Sequence, residues 1–297
     1  MAEIVEIESK KYPKALKEAL KNLVASLGPK KLYYKGNWSE EIFENCLAVV
    51  GSRHLTTYGK RATEQLVTEV AAAGITIVSG FMYGGDEAAH SAAVKCGGKT
   101  IAVMPCGIDL IHPVNQKELY QKILDTGGLI ISEYPSLDQP QTFTYIQRDR
   151  IVAGLSKAIL VTEAALNSGS LISAGYAKKF GRKIFALPGQ ITSEVSKGTI
   201  KLIKEGAEPV AEAKDILDFF KVLPSAKPSV SLNLVKSDLT KFNGLEQRII
   251  EHLKREPMEA DELARLFSIP VAKLGTALSL MQLKGFINHD NGKYYIN

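Results

Sequence analysis

Two groups of side chains that can bind phosphate lie close together in the middle of the sequence. Arg148 and Arg150 precede a short apolar segment, Ala158–Val161, and the tripeptide Ser168-Gly169-Ser170 follows it. An arginine offers phosphate a planar fork of N–H donors, and a serine–glycine turn at the start of a helix offers backbone N–H groups to an anion. We therefore predict a polyanion or nucleotide site without an obvious catalytic residue, with its two parts at the two ends of one strand.

A third candidate group is the tripeptide Gly51-Ser52-Arg53, which follows the apolar segment Leu47–Val50. We expect Gly51 to permit the close approach of a ligand backbone and Arg53 to bind phosphate, the alternative being an arginine in a structural ion pair. The next glycine is Gly59, so the Gly-x-Gly-x-x-Gly fingerprint of dinucleotide-binding proteins is absent.

Asp86 and His90 are four residues apart in a predicted helix and would share one of its faces. Such a pair could orient a general base, but no nearby serine or cysteine completes a nucleophilic set. We therefore predict a structural hydrogen bond between the two side chains. Glu133 and Glu163, which end two predicted strands, could act as acid and base, bind Mg²⁺ or pair with the arginines; we favour pairing for at least one of them.

The elements that position these residues follow from an alternation of apolar segments with amphipathic helices between residues 47 and 205. Uniformly apolar strands are typical of a parallel sheet that is covered on both faces. The predicted fold class is α/β, with an extended Rossmann-like, doubly wound, mostly parallel sheet. In such a sheet, the loops at the carboxyl ends of the strands meet at one edge, so the candidate residues should line a single cleft.

The domain organisation is predicted from changes in composition along the chain. Residues 1–45 form an N-terminal helical and strand extension, residues 46–222 the Rossmann-like core, and residues 223–242 a linker rich in proline and serine. Residues 243–297 combine three short helices with a hairpin around Asp-Asn-Gly at 290–292, which indicates a winged helix.

Composition limits the class of protein only loosely. The chain has 297 residues, a net charge of +5 and 45% hydrophobic residues, which suits a globular protein and is weak evidence for a nucleic-acid partner. Its three cysteines have no metal-ligand spacing, so we predict neither a metal nor a cofactor. No apolar run could span a bilayer, and the acidic N-terminus lacks a signal-peptide pattern; a cytoplasmic location with no membrane contact is predicted.

Several of these motifs together resemble the DNA-processing protein A family, DprA or Smf, over about residues 30–220. The motifs that carry the resemblance are Val50–Arg53, Ser79–Gly80 with Gly84, Asp86 and His90, Ser132–Pro135, Arg148–Ser156, Ser168–Ile172, and Ala186–Gly189. The chain departs from the family pattern at Asp149, where the family usually has asparagine, and at Ile200. The family's N-terminal helical module is expected to be absent, since 45 residues precede the core.

The resemblance implies a function without catalysis. Members of the family bind single-stranded DNA on an extended Rossmann core, act as homodimers and load the RecA recombinase onto DNA during natural transformation. By the same resemblance, Arg53, Arg148 and Arg150 would hold DNA phosphates, and Phe143 or Tyr145 would stack on a base.

Two alternatives remain open from the sequence. One is a nucleotide-binding sensor that uses the same cleft. The other is a phosphoribohydrolase-like enzyme of the related Rossmann group, although the Pro-Gly-Gly-x-Gly-Thr-x-Glu-Glu motif of that group is missing and Asn167–Ile172 stands in its place. The winged helix has seven basic and seven acidic residues, so either DNA or a protein could be its partner.

Overall fold

Strands and helices alternate through the core, as the sequence predicts. The structure is a computed structural model that describes residues 2–21, 23, 28–224, 242–290 and 292–296. The chain divides into two units, Met1–Ala226 and Lys227–Asn297. Most of the predicted linker, residues 225–241, lies outside the described residues.

The strands of the first unit are β1 (Glu3–Glu6), β2 (Lys31–Gly36), β3 (Cys46–Val50), β4 (Thr76–Ser79), β5 (Thr100–Gly107), β6 (Leu129–Tyr134), β7 (Ala158–Val161), β8 (Lys183–Ala186) and β9 (Glu208–Pro209). Its α-helices are α1 (Lys14–Leu20), α2 (Thr57–Ala72), α3 (Gly85–Lys95), α4 (Lys117–Asp125), α5 (Thr142–Leu155), α6 (Ser170–Lys179), α7 (Lys197–Lys204) and α8 (Ala213–Phe220).

The described strands of this unit form one sheet in the order β1-β2-β6-β5-β4-β3-β7-β8-β9. From β6 to β9, neighbouring strands are parallel. After β3 the chain adds strands on one side of it through β6 and then crosses to add β7, β8 and β9 on the other. The strand order therefore reverses between β3 and β7, and a ligand crevice is expected at their carboxyl ends.

Alternating side chains of β3 show how the sheet is covered on both faces. Ala48 and Val50 pack into the apolar cluster beneath α1, α5 and α6. Leu47 and Val49 point to the opposite face, into the cluster beneath α2, α3 and α8. Successive residues of a strand point to opposite faces, so a uniformly apolar strand is buried between two layers of helices. The predicted doubly wound α/β architecture is confirmed.

The N-terminal extension is part of the same sheet and not a separate module. Strand β2 pairs antiparallel with β6, and β1 pairs antiparallel with β2. Helix α1 buries Leu16 against α5, where a side-chain atom on Gly154 would collide with it. The extension therefore closes one edge of the sheet and covers part of one face.

Helix α5 is an element for which the sequence analysis made no prediction. Its first turn, Thr142-Phe143-Thr144-Tyr145-Ile146, is composed of β-branched and aromatic residues, which have weak helix propensity. The helix runs back across the sheet from the carboxyl end of β6 towards the start of β7. Arg148 therefore lies near the carboxyl edge, and the two groups predicted to bind phosphate lie at the same end of the sheet instead of at the two ends of β7.

The second unit contains three helices, α9 (Gly244–Leu253), α10 (Ala260–Phe267) and α11 (Val271–Leu283), with short strands β10 (Met258–Glu259), β11 (Ile287–Asp290) and β12 (Lys293–Ile296). Strands β11 and β12 form the predicted antiparallel hairpin, although Asn291 of its turn lies outside the described residues. This is a winged-helix arrangement. Among the described residues, no single helix has both the length and the apolar composition that a membrane crossing requires.

Candidate functional site

The predicted crevice between β3 and β7 is present as a cleft of about 490 Å³. Loops from three strand ends and one face of α5 form its walls. The residues singled out from the sequence that line it together are Gly51, Arg53, Asp86, Tyr145, Arg148, Ser168, Gly169 and Ser170. Further lining residues that the sequence did not single out for this site include Met82, Tyr83, Ile146, Val152, Ile172 and Ser173.

Arg148 lies in the floor of the cleft and is 6% exposed. Its Nη1 donates to the carbonyl oxygen of Val103 at 3.0 Å, and its Nε donates to Asp149 Oδ1 at 3.0 Å. Asp86 Oδ2 lies 3.9 Å from the same Nη1. Two carboxylates thus surround one guanidinium, which leaves little uncompensated positive charge at this point of the cleft.

Gly80 permits this position of Arg148. A side-chain atom on Gly80 would overlap the guanidinium of Arg148 and the carboxylate of Asp86. Gly80 of the Ser79-Gly80 motif therefore leaves the space in which the buried Arg148 packs against the end of β4.

The Asp149 side chain is largely buried, and burial disfavours the charged form of its carboxyl group. Burial raises its pKa to about 6, although the attraction of Arg148 opposes the shift. The negative charge of Asp86 pushes the pKa in the same direction as burial does. Since Asp149 lines the cleft, its ionisation decides how negative the floor is near neutral pH.

The exposed Arg53 and the half-buried Tyr145 lie beside this buried network. The Arg53 guanidinium lies over the Tyr145 ring, 5.2 Å from its centre, and the Tyr145 hydroxyl shares a hydrogen bond of 2.9 Å with His112 Nε2. Arg53 is exposed, so its charge is available to a ligand. A cation stacked on an aromatic ring is a combination that binds nucleobases and phosphates.

The groups that the Ser168–Ser170 turn offers to the cleft are mainly serine hydroxyls and not backbone N–H groups that lack an acceptor. Ser168 Oγ and Ser170 Oγ are 2.8 Å apart, and the N–H groups of Leu171 and Ile172 already donate to the carbonyl oxygens of Ser168 and Gly169. The predicted cradle of free backbone N–H groups is therefore only partly formed. Anion binding here would depend on the two hydroxyls and on the positive end of the α6 dipole.

Three predicted site residues lie outside the cleft lining. The Ser52 hydroxyl donates to the His54 carbonyl, and Phe143 is half exposed beside the cleft. Arg150 is 5% exposed, and its Nη2 donates to both oxygens of Glu133 at 2.8 Å. Residues two apart on a helix do not share a face, so Arg148 and Arg150 diverge. The predicted pairing of a strand-end glutamate with an arginine is confirmed for Glu133, and the placement of Arg150 in the cleft is wrong.

The predicted hydrogen bond between Asp86 and His90 is also wrong. His90 is fully buried, and its two ring nitrogens contact Thr100 Oγ1 at 2.7 Å and the Gly80 carbonyl oxygen at 2.6 Å. Burial lowers the pKa of His90, which favours a neutral ring in a structural role. Asp86 instead accepts from the Met82 N–H at 3.2 Å and faces Arg148.

Glu163 occupies the place where a dinucleotide-binding protein holds its pyrophosphate. Its carboxylate accepts hydrogen bonds from Thr56 N at 2.8 Å and Thr56 Oγ1 at 2.5 Å, at the N-terminus of α2. Gly59 leaves room for this carboxylate, because a side-chain atom there would overlap it. The protein's own anion thus neutralises the helix N-terminus that follows the first parallel strand, which explains the missing glycine fingerprint.

We expect Glu163→Gln to lower the free energy of unfolding by about 1–2 kcal/mol, because the helix loses a charged acceptor and keeps an amide with a donor group that has no role there. Urea unfolding followed by circular dichroism measures the change. Glu194→Gln is the control, since Glu194 forms an exposed ion pair with Lys197 and should change stability by less than about 0.5 kcal/mol. Equal effects of the two substitutions would contradict this role of Glu163.

The charged groups of the cleft are an exposed arginine and a buried arginine with two carboxylates. In the described part of the chain, no cluster of three or more histidine, cysteine, aspartate or glutamate side chains could hold a metal ion. The carboxylates that line the cleft, Asp86 and Asp149, both face Arg148. The arrangement suits an anionic ligand that contacts Arg53, the Tyr145 ring and the serine hydroxyls.

The fold and the site together define a Rossmann-like protein with a cleft at its strand-order reversal, lined by an exposed arginine and a serine–glycine turn, and with a winged-helix unit in the same chain. The chain belongs to the family described as DNA recombination-mediator protein A, whose sequence model matches residues 3–221. A second family model, the DprA winged helix domain, matches residues 237–293. The predicted membership of the DprA/Smf family is confirmed.

Similar proteins come from several bacteria. Protein Smf of Escherichia coli strain K12 is 37% identical over 253 residues, which is 84% of this chain and 67% of that protein. DNA processing protein DprA of Streptococcus pneumoniae strain R6 is 41% identical over 192 residues, 65% of this chain and 67% of its own length.

Two solved structures share the fold. DNA processing protein A from Streptococcus pneumoniae superimposes with a TM-score of 0.66 at 38% identity, covering 73% of each chain. The protein from Helicobacter pylori, whose structure is described for its single-stranded DNA binding mode, gives 0.63 at 32% identity and covers 74% of this chain and 96% of its own.

Proposed function

We propose that this chain is a single-stranded DNA-binding recombination mediator that acts in DNA processing during natural transformation. The observation that carries the proposal is the exposed Arg53 guanidinium stacked on Tyr145 at a cleft whose far wall is the N-terminus of α6. An arginine beside an aromatic ring can hold the phosphate and the base of an unpaired nucleotide together. Single-stranded DNA binding described for the Helicobacter pylori relative supports the same ligand.

Within the proposal, the cleft residues have distinct roles. Arg53 and the hydroxyls of Ser168 and Ser170 bind phosphate, and Gly169 keeps the approach open. Gly51 serves internal packing instead, because a side-chain atom there would overlap Thr162 Oγ1. Tyr145 takes the base-stacking role suggested for the aromatic residues of this segment, because it lines the cleft and Phe143 does not. Arg148 supports the floor, where Asp86 and Asp149 offset most of its positive charge. In this proposed role the cleft binds DNA without breaking a bond in it.

Family membership alone supports the remaining parts of the proposal. The protein loads RecA onto single-stranded DNA, acts as a homodimer and works in the cytoplasm, where its DNA substrate and RecA meet. A strand-exchange reaction with DNA coated by single-strand binding protein tests RecA loading. Sedimentation equilibrium tests the dimer. We expect stimulated strand exchange and a dimeric mass. A reaction that is not stimulated would contradict RecA loading, and a monomeric mass would contradict the homodimer.

We expect Arg53→Ala to weaken binding of a fluorescein-labelled oligothymidylate about tenfold, because the exposed cation and its stacked ring act together. Fluorescence anisotropy measures the dissociation constant at several salt concentrations. The slope of log affinity against log salt should fall by about 0.7 when one phosphate contact is lost from a single strand.

Lys95→Ala is the matched control for this substitution. Lys95 is exposed at the last residue of α3, and the first residues of that helix lie at the cleft. The helix extends about 16 Å from one end to the other, so the control removes one positive charge far from the cleft and should leave affinity and salt slope unchanged. Equal weakening by both substitutions would show that only overall charge matters, and the cleft would not be the binding site.

The volume of the cleft also suits a mononucleotide, which favours a nucleotide sensor as the second candidate. Thermal unfolding separates the two functions, since a ligand stabilises the state that binds it. Stabilisation by oligothymidylate but not by a mononucleotide supports the mediator. The reverse result supports the sensor, and release of adenine from AMP would support the phosphoribohydrolase.

A further inference from the structure

One loop contacts both of the tyrosine rings that line the cleft. We call residues 108–116 the β5–α4 loop, since they join strand β5 to helix α4. His112 Nε2 lies 2.9 Å from the Tyr145 hydroxyl, and Asn115 Oδ1 accepts a hydrogen bond of 2.9 Å from the Tyr83 hydroxyl. Tyr83 and Tyr145 line the cleft, whereas His112 and Asn115 lie outside its lining. The loop can therefore act on a bound ligand through the two rings.

The β5–α4 loop is itself held in place by the strands around it. The Asp109 N–H donates to the Ser136 carbonyl oxygen at 2.8 Å, and the Asp109 carboxylate lies 2.7 Å from Lys35 Nζ of β2. Pro113 and Gln116 are buried near the other end of the loop. Because backbone hydrogen bonds and burial resist local opening, the loop is a firm support for the hydroxyls that it contacts.

The Tyr145 ring is fixed on two sides. Its hydroxyl is hydrogen-bonded to His112, and the two rings meet edge to face with their centres 6.3 Å apart. The Arg53 guanidinium lies over the Tyr145 ring. A ring that is held before the ligand arrives loses less conformational entropy when a base stacks on it, so these contacts favour binding.

The contribution of His112 comes from this contact and not from charge. Burial lowers the pKa of His112 from its ordinary value of 6.5, and the positive charge of Arg53 lowers it further. The imidazole is therefore neutral at pH 7.5 and adds no positive charge for a phosphate to bind.

Tyr83 is anchored at both ends of its side chain and keeps an open ring. The next residue, Gly84, packs against the backbone of Ser52 and Arg53, where a side-chain atom would collide with it. The hydroxyl at the far end of Tyr83 is bonded to Asn115. Since Tyr83 is 41% exposed, its ring is accessible to a base, and an aromatic ring stacks on bases of any sequence.

We propose that His112 and Asn115 are positioning residues, which hold Tyr145 and Tyr83 as two stacking surfaces for the bases of a DNA strand in the cleft. This inference rests on the proposed function, because it concerns the same ligand in the same cleft. It adds Tyr83 as a second base-stacking residue and assigns the placement of both rings to the β5–α4 loop.

An abasic strand separates the rings from the phosphate contacts, because it has the same phosphates as an oligothymidylate and no bases. Fluorescence anisotropy at pH 7.5 compares the two strands at a length of about 10 nucleotides. We expect the wild-type chain to bind the oligothymidylate at least about tenfold more tightly. Tyr83→Ala should weaken binding of the oligothymidylate about fivefold and leave the abasic strand unchanged. Tyr83→Phe is the matched control, since it keeps the ring, and its loss should be smaller.

A double-mutant cycle tests whether His112 acts through Tyr145. His112→Phe removes the nitrogen and keeps an aromatic ring, whereas Tyr145→Phe removes the hydroxyl and keeps the stacking surface. Each should weaken binding of the oligothymidylate about fivefold and leave the abasic strand unchanged. The two together should lose no more than either alone, because both break the same hydrogen bond. His112→Gln should bind as the wild type does, since its amide can replace the ring nitrogen.

The outcomes separate this inference from the proposed function. If the wild type binds the abasic strand as tightly as the oligothymidylate, the rings bind no base and the inference is overturned, while phosphate binding in the cleft stands. Additive losses in the cycle, or equal losses for both strands, would also overturn it, because His112 would then not act through the Tyr145 ring. If neither strand binds the wild-type chain, the proposed function itself fails.

Discussion

Arg148→Ala is expected to lower the free energy of unfolding of the first unit by about 3–5 kcal/mol, the usual cost of removing one partner from a buried ion pair. The substitution leaves Asp149 and Asp86 without the cation that faces both of them. It also removes the hydrogen bond to the Val103 carbonyl in the centre of the sheet and empties the space that Gly80 keeps open. Urea unfolding followed by circular dichroism measures the loss.

Arg53→Ala provides the comparison for this result. Arg53 is also an arginine of the cleft, but it is exposed and stacks on one ring, so its removal should cost less than about 1 kcal/mol of stability. We therefore expect Arg148→Ala to lower mainly the free energy of unfolding and Arg53→Ala to weaken mainly the binding of DNA. A loss of stability below about 1 kcal/mol for Arg148→Ala would contradict the buried network described above.

Asp149→Asn is expected to strengthen binding of oligothymidylate about tenfold at pH 8, because it removes a negative charge from the floor of the cleft. Asparagine keeps an oxygen that can accept from Arg148 Nε, so the position of the arginine should be preserved. The substitution leaves the positive charge of Arg148 opposed only by Asp86. Fluorescence anisotropy at pH 8 measures the gain.

The same substitution should change how stability depends on pH. Burial raises the pKa of Asp149 to about 6, above the value of about 4 expected for an unfolded chain. Between these values the folded state holds more protons than the unfolded state, so this group makes the free energy of unfolding fall as pH rises from about 4 to about 6. Asp149→Asn should remove that decline and be more stable than the wild type at pH 8.

Comparison at two pH values provides the control for both effects. At pH 5 Asp149 of the wild type is mostly protonated, so the affinity and stability gains of Asp149→Asn should shrink there. Gains of equal size at pH 5 and pH 8 would show that the carboxylate charge is not responsible. Weaker binding by Asp149→Asn at pH 8 would show that Asp149 orients Arg148 and that this role outweighs its charge.

The sequence by itself determined the architecture of this protein. Uniformly apolar segments such as Cys46–Val50 cannot be exposed on either side, so they require a sheet covered on both faces. The convergence of Gly51, Arg53 and the Ser168–Ser170 turn follows from the same reasoning, because they come after parallel strands and therefore lie at one edge. These conclusions need only the alternation of side chains between the two faces of a strand and the shared direction of parallel strands.

Only the tertiary structure decided how each charged side chain is used. Arg148 and Arg150 look equivalent in the sequence, yet the turn of α5 sends Arg148 beneath the cleft and Arg150 to Glu133. Asp86 and His90 have the spacing of a pair, yet Thr100 of β5 and Gly80, the residue after β4, take both ring nitrogens of His90. The choice of partner depends on distances between segments remote in the chain and on the cost of burying a charge, and local spacing contains neither.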